Sequence, residues 1–250
     1  MRKFGLIGYP LVHSFSGKYF SEKFLKENIT GCSYNNYPLT NIEQLPWLIE
    51  SDTEISGLNV TIPYKTDVIR YLDHIDPEAE KVGAVNVLKI ARSGSSVHIS
   101  GYNSDIYGIQ TTLMPFTPDD LQNALVLGTG GSSKAVCHVL SEMNVFYTLV
   151  SRSEKPGCIV YSDINEGLLR GIRLIVNTTP AGMYPDTEGK PDIRYDLLTE
   201  KNILFDLVYN PEKTAFLKAG EEKGCKILTG LEMLYSQAER SWEIWNDPGI

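Results

Sequence analysis

The sequence predicts an α/β protein, because short apolar runs alternate with amphipathic stretches along its 250 residues. The alternation is most regular in the second half, where apolar runs are followed by stretches with helical spacing. A glycine-rich turn, Gly128-Thr129-Gly130-Gly131, joins one such run to the next helix. These observations predict a largely parallel sheet in that half of the chain.

The composition is typical of a globular protein, since 42% of the residues are hydrophobic and 22% are charged. The 23 basic and 31 acidic residues give a net charge of −8, so no global positive field exists to hold nucleic acid or an anionic membrane. No apolar run approaches the ~20 residues of a membrane-spanning helix. The cysteines are scattered without a C-x-x-C pair, which predicts reduced thiols and a cytoplasmic protein. No metal centre is expected, because His13 has no second histidine or cysteine nearby in the sequence.

The first half predicts a mixture of hairpin and crossover connections. A helix is expected from Ser16 to Glu27, because Tyr19, Phe20 and Phe24 share one face. Further helical spacing covers residues 42–49 and 106–113. Strands are expected over residues 4–7, 32–37, 55–62, 85–90 and 97–102, and the last two form a hairpin around Ser93-Gly94-Ser95.

The second half predicts six strands and a long final helix. The strands are expected over residues 124–127, 145–150, 159–162, 174–176, 203–208 and 227–228. The final helix carries Leu234, Ala238, Trp242 and Trp245 on one face and is expected to return to the first half. We therefore predict two domains, one formed by residues 1–105 with 232–250 and the other by residues 106–231.

The glycine-rich turn is typical of a Rossmann-like domain that binds a dinucleotide, because glycines let the backbone approach a pyrophosphate at a helix N-terminus. Ser133 departs from the G-x-G-x-x-G pattern, and a turn without a ligand remains the alternative. The next strand ends in Ser151-Arg152-Ser153 rather than in an acidic residue. A guanidinium and two hydroxyls suit a 2′-phosphate, which favours NADP(H) over NAD.

Polar groups in the first half cluster at strand ends and helix starts. Ser14 and Ser16 precede a helix, which suits either helix capping or a small carboxylate. Thr61 lies at the end of the strand predicted to begin at Ile55 and Lys65 follows that strand, while Asn86 lies at the start of another strand. The remaining candidate, Asp105, lies just before a predicted helix, where it could cap the helix and also take part in chemistry.

Eight motifs occur in the order found in shikimate dehydrogenases, and together they resemble that family from Gly8 to Gln237. They are G-Y-P-L-V-H-S-F-S, N-V-T-I-P-Y-K, G-A-V-N, G-Y-N-S-D-I-Y-G, G-T-G-G-S, N-T-T-P-A-G-M, D-L-V-Y-N-P and G-L-E-M-L-Y-S-Q. The resemblance implies an N-terminal α/β substrate domain with a mixed sheet and a Rossmann-like NADP-binding domain. It also implies reversible reduction of 3-dehydroshikimate to shikimate, in the pathway to chorismate and aromatic amino acids.

The resemblance also implies roles for individual residues. Lys65 and Asp105 would form the catalytic pair and contact the substrate. The other substrate ligands would be Ser14, Ser16 and Tyr209 at the carboxylate and Thr61, Asn86 and Gln237 at the ring hydroxyls. The cofactor would be held by Gly128, Thr129, Gly130, Gly131 and Ser132 at the pyrophosphate, by Ser151, Arg152 and Ser153 at the 2′-phosphate, and by the backbone near Leu207 and Gly230 at the nicotinamide.

Three features depart from the family pattern. Ser104 stands in place of a threonine, and Thr129 and Ser132 stand in place of alanines. The largest departure follows Ser153, where only Glu154-Lys155-Pro156-Gly157 precedes the next strand. Four residues that include proline and glycine cannot form the usual crossover helix, so we expect a shortened crossover after the second strand of this domain.

The leading interpretation is an NADP-dependent shikimate dehydrogenase that acts as a monomer or homodimer on a small-molecule substrate. The alternatives are a quinate/shikimate dehydrogenase that uses NAD, a non-catalytic shikimate-sensing homologue, and a Rossmann enzyme with another substrate. Arg152, Ser14 and Ser16 argue against the first alternative, and retention of both Lys65 and Asp105 argues against the second.

Overall fold

A computed structural model of the chain describes residues 1–11 and 15–249. The chain divides into two compact units, Met1–Ser104 with Ala238–Ile250 and Asp105–Gln237. Within the described residues each unit has one six-stranded sheet. None of the helices in the described ranges is long and apolar enough to cross a membrane. The domain boundaries near residues 105 and 232 stay a prediction.

The first unit is built on a mixed sheet, as predicted. Its strands run in the spatial order β2-β1-β3-β5-β6-β4. β1 pairs in parallel with β2 and β3, whereas β5 is antiparallel to both β3 and β6. The strands are β1 (Arg2–Gly8), β2 (Cys32–Pro38), β3 (Ile55–Val60), β4 (His74–Ile75), β5 (Val87–Ser93) and β6 (Ser96–Tyr102).

Three helices connect these strands: α1 (Phe15–Lys26), α2 (Leu45–Ser51) and α3 (Pro77–Val82). The expected helix over residues 42–49 divides into a 3-10 turn at Ile42–Gln44 followed by α2. Pro46 lies in the first turn of α2, where its missing N–H is tolerated because that position has no intrahelical acceptor. α3 was not predicted, although Asp76 caps it by accepting from the N–H groups of Glu78 and Ala79.

The final helix, α8 (Gly230–Asn246), contributes its second half to the core of the first unit. The Trp245 ring stacks on Phe4 with centroids 4.7 Å apart, and its Nε1 donates to the carbonyl oxygen of Leu88 at 3.0 Å. A side chain at Gly57 would collide with the same indole. The sheet therefore has a slot at Gly57 that the Trp245 side chain fills.

The second unit is a parallel sheet with the strand order β12-β11-β10-β7-β8-β9. Every pairing in it is parallel. This is the doubly wound order of dinucleotide-binding folds, in which ligands bind beyond the carboxyl ends of the strands where the order reverses, here between β7 and β10. The strands are β7 (Ala124–Leu127), β8 (Tyr147–Ser151), β9 (Cys158–Val160), β10 (Leu174–Asn177), β11 (Ile203–Asp206) and β12 (Lys226–Leu228).

The shortened crossover is confirmed. The described segment 152–157 joins β8 to β9 without a helix, and Leu149 pairs directly with Cys158. The expected strand over 159–162 ends earlier, because Tyr161–Asp163 form a 3-10 turn. Before α8, the second unit contains the helices α4 (Asp105–Leu113), α5 (Gly131–Glu142), α6 (Glu166–Leu169) and α7 (Ala215–Glu221).

Candidate functional site

Thr61 lies at the end of β3, beside the end of β1. Its N–H donates to the carbonyl oxygen of Ile7 at 2.9 Å, which carries the β1–β3 pairing one residue past the strand. Gly8 has no room for a side chain, since an added Cβ would collide with the Thr61 methyl group. The half-buried Thr61 is thus held against the β1 terminus.

Main-chain hydrogen bonds bring the segments carrying Lys65 and Asn86 to the same place. The Lys65 carbonyl oxygen accepts from the N–H of Val85 at 2.7 Å, and the Asn86 carbonyl oxygen accepts from the N–H of Val60 at 2.8 Å. The buried Tyr64 ring anchors the turn through its hydroxyl, which donates to the Leu39 carbonyl oxygen at 2.6 Å. Three of the predicted site residues, Thr61, Lys65 and Asn86, therefore meet at one edge of the first sheet.

A buried polar network continues from Asn86. The Asn86 side chain, 3% exposed, donates from Nδ2 to Ser104 Oγ at 3.1 Å and accepts from the Ser104 N–H at 2.7 Å. Ser241 Oγ lies 3.2 Å from Ser104 Oγ and accepts from Asn59 Nδ2 at 2.9 Å. Asn86 thus fixes the residue that immediately precedes Asp105. In the sequence, Ser104 stood out only as a departure from the family pattern, and its hydrogen bonds to Asn86 and Ser241 were not predicted.

Asp105 is the first residue of α4 and is 1% exposed. A carboxylate in the first turn of a helix is favoured by the helix dipole. α4 packs closely on α8, because an added Cβ at Gly108 would lie 2.7 Å from the Met233 carbonyl oxygen. Gln237, which is half-buried, follows Met233 by one turn of α8. The second unit therefore packs the helix carrying Asp105 against the helix carrying Gln237.

The other substrate candidates lie on other elements. Ser16 is half-buried in the first turn of α1, and Tyr209 is half-buried after β11. Ser14 lies outside the described residues.

The glycine loop connects β7 to α5 by a turn that has no room for a side chain at its first residue, Gly128. Gly128 has φ +113°, and a Cβ there would lie 2.6 Å from Thr178 Oγ1. Thr178 Oγ1 donates to the carbonyl oxygen of Leu127 at 2.7 Å, and Ser133 Oγ donates to that of Gly128 at 2.7 Å. Gly130 precedes the first residue of α5 and has no side chain to cap it. The first amides of this helix and the bare loop backbone therefore fit a nucleotide diphosphate.

The end of β8 carries the predicted 2′-phosphate ligands. Arg152 and Ser153 are exposed, whereas Ser151 is 4% exposed and its Oγ accepts from the Ser153 N–H at 3.4 Å. An unpredicted contact joins this segment to the glycine loop: Lys155 Nζ donates to Thr129 Oγ1 at 3.0 Å. Two departures from the family pattern, Thr129 and the shortened crossover, thus contact each other, and they add a cation beside the loop.

Leu207 and Gly230, both predicted near the nicotinamide, lie against each other. An added Cβ at Gly230 would be 2.7 Å from the Leu207 carbonyl oxygen and 2.9 Å from that of Asp206. The chain after β11 therefore passes so close to the start of α8 that only glycine fits there.

A buried carboxylate precedes this contact and was missed by the sequence analysis. Asp206 is fully buried and accepts from Asn177 Nδ2 at 2.9 Å, Thr214 Oγ1 at 2.5 Å and the Val208 N–H at 3.0 Å. A sequence signal did exist, because Asn177 and Asp206 are polar residues that end two otherwise apolar strands, and the strand register pairs them.

Burial raises the pKa of Asp206 to about 6, and its hydrogen-bond donors offset only part of that rise. An unfolded aspartate has a pKa of ~3.9. Because the folded value is the higher one, the stability that this group contributes is fully present below about pH 4 and is lost as the pH rises through about 6.

Asp206→Asn is expected to remove this pH dependence, since the amide does not titrate. The free energy of unfolding of the variant relative to the wild type should rise by about 2 kcal/mol between about pH 4 and pH 7. Urea unfolding of both proteins at several pH values across that window measures the difference. A difference that stays constant with pH would contradict the raised pKa.

Comparison with known proteins identifies chains that are similar to this one. A family model described as "Shikimate dehydrogenase substrate binding domain" matches residues 6–88. A protein of Clostridium beijerinckii named "Shikimate dehydrogenase (NADP(+))" is 39% identical over 263 residues, which cover 99% of this chain and 93% of the relative.

Solved structures of related proteins have a similar fold. Shikimate Dehydrogenase 1 from Peptoclostridium difficile superposes with a TM-score of 0.83 at 36% identity, covering 100% of this chain and 93% of that one. The shikimate 5-dehydrogenase of Thermus thermophilus, solved in complex with NADP(H) and shikimate, has a TM-score of 0.84 at 30% identity and covers 100% and 94%. The mixed sheet and the Rossmann-like parallel sheet are thus shared with these enzymes.

Proposed function

The chain belongs to the shikimate dehydrogenase family, and we propose that it catalyses the reversible, NADP(H)-dependent reduction of 3-dehydroshikimate to shikimate. The observation that carries the proposal is the cluster of Thr61, Lys65 and Asn86 at one edge of the first sheet, which main-chain hydrogen bonds hold together. A polyhydroxylated ring needs such polar partners, because each buried donor or acceptor left unpaired costs ~1–3 kcal/mol. The product belongs to the pathway to chorismate and aromatic amino acids.

The substrate is held by groups of matching chemistry. Its carboxylate is bound by hydroxyls at the start of α1, where Ser16 also benefits from the helix dipole. Its ring hydroxyls contact an alcohol and two amides, which can both donate and accept. The full set of substrate ligands is Ser14, Ser16 and Tyr209 at the carboxylate, and Thr61, Asn86 and Gln237 at the hydroxyls.

Lys65 and Asp105 form the proton-transfer pair. NADPH, when bound, supplies the hydride that reduces the ring ketone. Lys65 Nζ donates a proton to the oxygen as the negative charge develops on it, so that the carbonyl becomes an alcohol. The Asp105 carboxylate orients the ammonium group by accepting a hydrogen bond from it. In the oxidation of shikimate the proton moves in the reverse direction, and the Lys65 amine accepts it from the alcohol.

The cofactor is held by residues of the second unit. The glycine-rich segment from Gly128 to Ser132 would hold the pyrophosphate at the start of α5. The segment Ser151-Arg152-Ser153 binds the 2′-phosphate, and the exposed guanidinium of Arg152 supplies the charge that distinguishes NADP from NAD. The backbone near Leu207 and Gly230 would hold the nicotinamide.

The direct test offers shikimate or quinate with NADP⁺ or NAD⁺ to the purified protein and follows formation of reduced nicotinamide. We expect rapid turnover with shikimate and NADP⁺ and at least ~10-fold lower kcat/KM in the other three combinations, because NAD⁺ lacks the 2′-phosphate and quinate has a saturated ring with an additional hydroxyl that needs its own partner. Equal use of quinate and NAD⁺ would identify a quinate/shikimate dehydrogenase. Thermal stabilisation by shikimate without turnover would identify a sensor.

A further inference from the structure

Asp206 lies at the end of β11 and takes no part in the proposed reaction. It is nevertheless the most completely buried acidic residue of the second unit. Its side chain is fully buried, and both carboxylate oxygens accept hydrogen bonds. Buried carboxylates are rare because desolvation is costly. An apolar residue would fill this place at lower cost, so the hydrogen bonds themselves are the feature to explain.

The donors to Asp206 come from three separate segments around the β11 terminus. Asn177 Nδ2 comes from the end of β10, and the Val208 N–H comes from the turn two residues further on. Thr214 Oγ1 comes from the residue that caps α7. One carboxylate thus ties a neighbouring strand, a turn and a helix start together.

Asn177 makes further hydrogen bonds around the same turn. Its carbonyl oxygen accepts from the Leu207 N–H at 3.0 Å, while its Oδ1 accepts from the Thr179 N–H at 3.0 Å. Leu207 and Val208 therefore each donate an amide to the Asn177–Asp206 pair. These two hydrogen bonds fix the orientations of the Asp206–Leu207 and Leu207–Val208 peptides.

The turn that these bonds fix is the one that presses against Gly230. The Leu207 carbonyl oxygen would lie 2.7 Å from a Cβ at that position. A contact this close leaves little tolerance, since a small rotation of the Leu207–Val208 peptide would move its carbonyl group against α8 or away from it. The hydrogen bonds of Asp206 therefore determine where the backbone beside Gly230 lies.

We propose that Asp206 is a positioning residue for the nicotinamide end of the cofactor, acting through the Leu207–Val208 turn that it and Asn177 hold. This inference rests on the proposed function, because it takes the backbone near Leu207 and Gly230 to be the nicotinamide contact. It assigns the D-L-V and N-T-T motifs one joint task, which is to fix a main-chain surface against which a flat ring can pack.

The test compares Asp206→Ala with Asp206→Asn and with Leu198→Ala, which truncates a buried leucine in the hydrophobic core of the second unit. Asn can keep both Oδ1 contacts and accommodate the Thr214 hydroxyl, whereas Ala abolishes all three bonds. The measurements are NADPH dissociation constants from cofactor fluorescence, shikimate dissociation constants from thermal shift, and the deuterium isotope effect on kcat. The melting temperature of each variant is recorded alongside.

We expect Asp206→Ala to weaken NADPH about tenfold, to leave shikimate affinity within about twofold, and to raise the isotope effect as hydride transfer slows. Asp206→Asn should recover most of the NADPH affinity. Leu198→Ala should lower the melting temperature without moving NADPH affinity by more than about twofold. Should Asp206→Ala fail to fold, Thr214→Val removes one of the three bonds and should show the same changes at smaller size.

Two results would overturn the positioning role while the proposed function stands. One is a wild-type enzyme that turns over shikimate with NADP⁺ while Asp206→Ala and Leu198→Ala lose NADPH affinity equally. The other is an Asp206→Asn variant as impaired as Asp206→Ala. A wild-type protein that neither binds NADPH nor turns over shikimate would instead refute the proposed function itself.

Discussion

Lys65→Met is expected to lower kcat by about 10²–10⁴-fold, because it removes the proton donor and acceptor of the proposed reaction. Methionine keeps the length and much of the apolar stem of the lysine side chain. The hydrogen bond that holds this turn uses the Lys65 carbonyl oxygen and the Val85 N–H, so it survives the substitution. The fold should therefore be retained, and steady-state kinetics with a melting curve measure both properties.

Lys81→Met provides the matched control, since Lys81 is an exposed lysine of the same unit on α3. It should turn over at the wild-type rate. NADPH affinity should be unchanged in both variants. A Lys65→Met enzyme with wild-type kcat would remove Lys65 from the mechanism, whatever its effect on shikimate binding.

Arg152→Ala is expected to lower the preference for NADP⁺ over NAD⁺, measured as a ratio of kcat/KM values, by roughly 10–100-fold. A hydrogen bond between a guanidinium and a phosphate contributes about 1.5–3 kcal/mol, and NAD lacks that phosphate. Arg152 is exposed at the end of β8, so its truncation should cost little stability. The change should fall on NADP⁺ while kcat/KM with NAD⁺ stays nearly constant.

Arg194→Ala is the control for a general effect of charge. Arg194 is an exposed arginine of the same unit and pairs with Asp196 at 2.6 Å. Its loss should affect the two cofactors equally and slightly. Equal losses for NADP⁺ and NAD⁺ in Arg152→Ala would refute the phosphate role, and the neighbouring Lys155, which contacts Thr129 at 3.0 Å, would become the next residue to test.

Much of the fold could be predicted because its causes are local. The apolar run Ala124–Leu127, bounded by Asn123 and Gly128, defines β7, and the three apolar residues between Asn202 and Asp206 define most of β11. Pro156 with Gly157 excludes a helix from the crossover. The ends of elements were less predictable. The expected strand over 203–208 stops at Asp206, because the side chain of that residue bonds to the Val208 N–H and turns the chain.

The contacts that complete the site depend on register and on pairs far apart in sequence. Asn177 meets Asp206 because β10 and β11 pair in one register, and a shift of one residue would separate them. Asn59 bonds to Ser241, 182 positions away. Neither pairing has a local signature, so the sequence predicted which residue types gather at strand ends but not which of them bond to each other.

The way the chain is threaded through its two units has a consequence for the order of events during synthesis. The second unit is one continuous segment, Asp105–Gln237, and all of its strands have been made before Ala238 is added. The first unit still lacks Trp245 at that moment, so Phe4 has no stacking partner and the slot at Gly57 is empty. Domains fold as units when their residues are complete. The part of the protein that leaves the ribosome first is therefore the last to close its core.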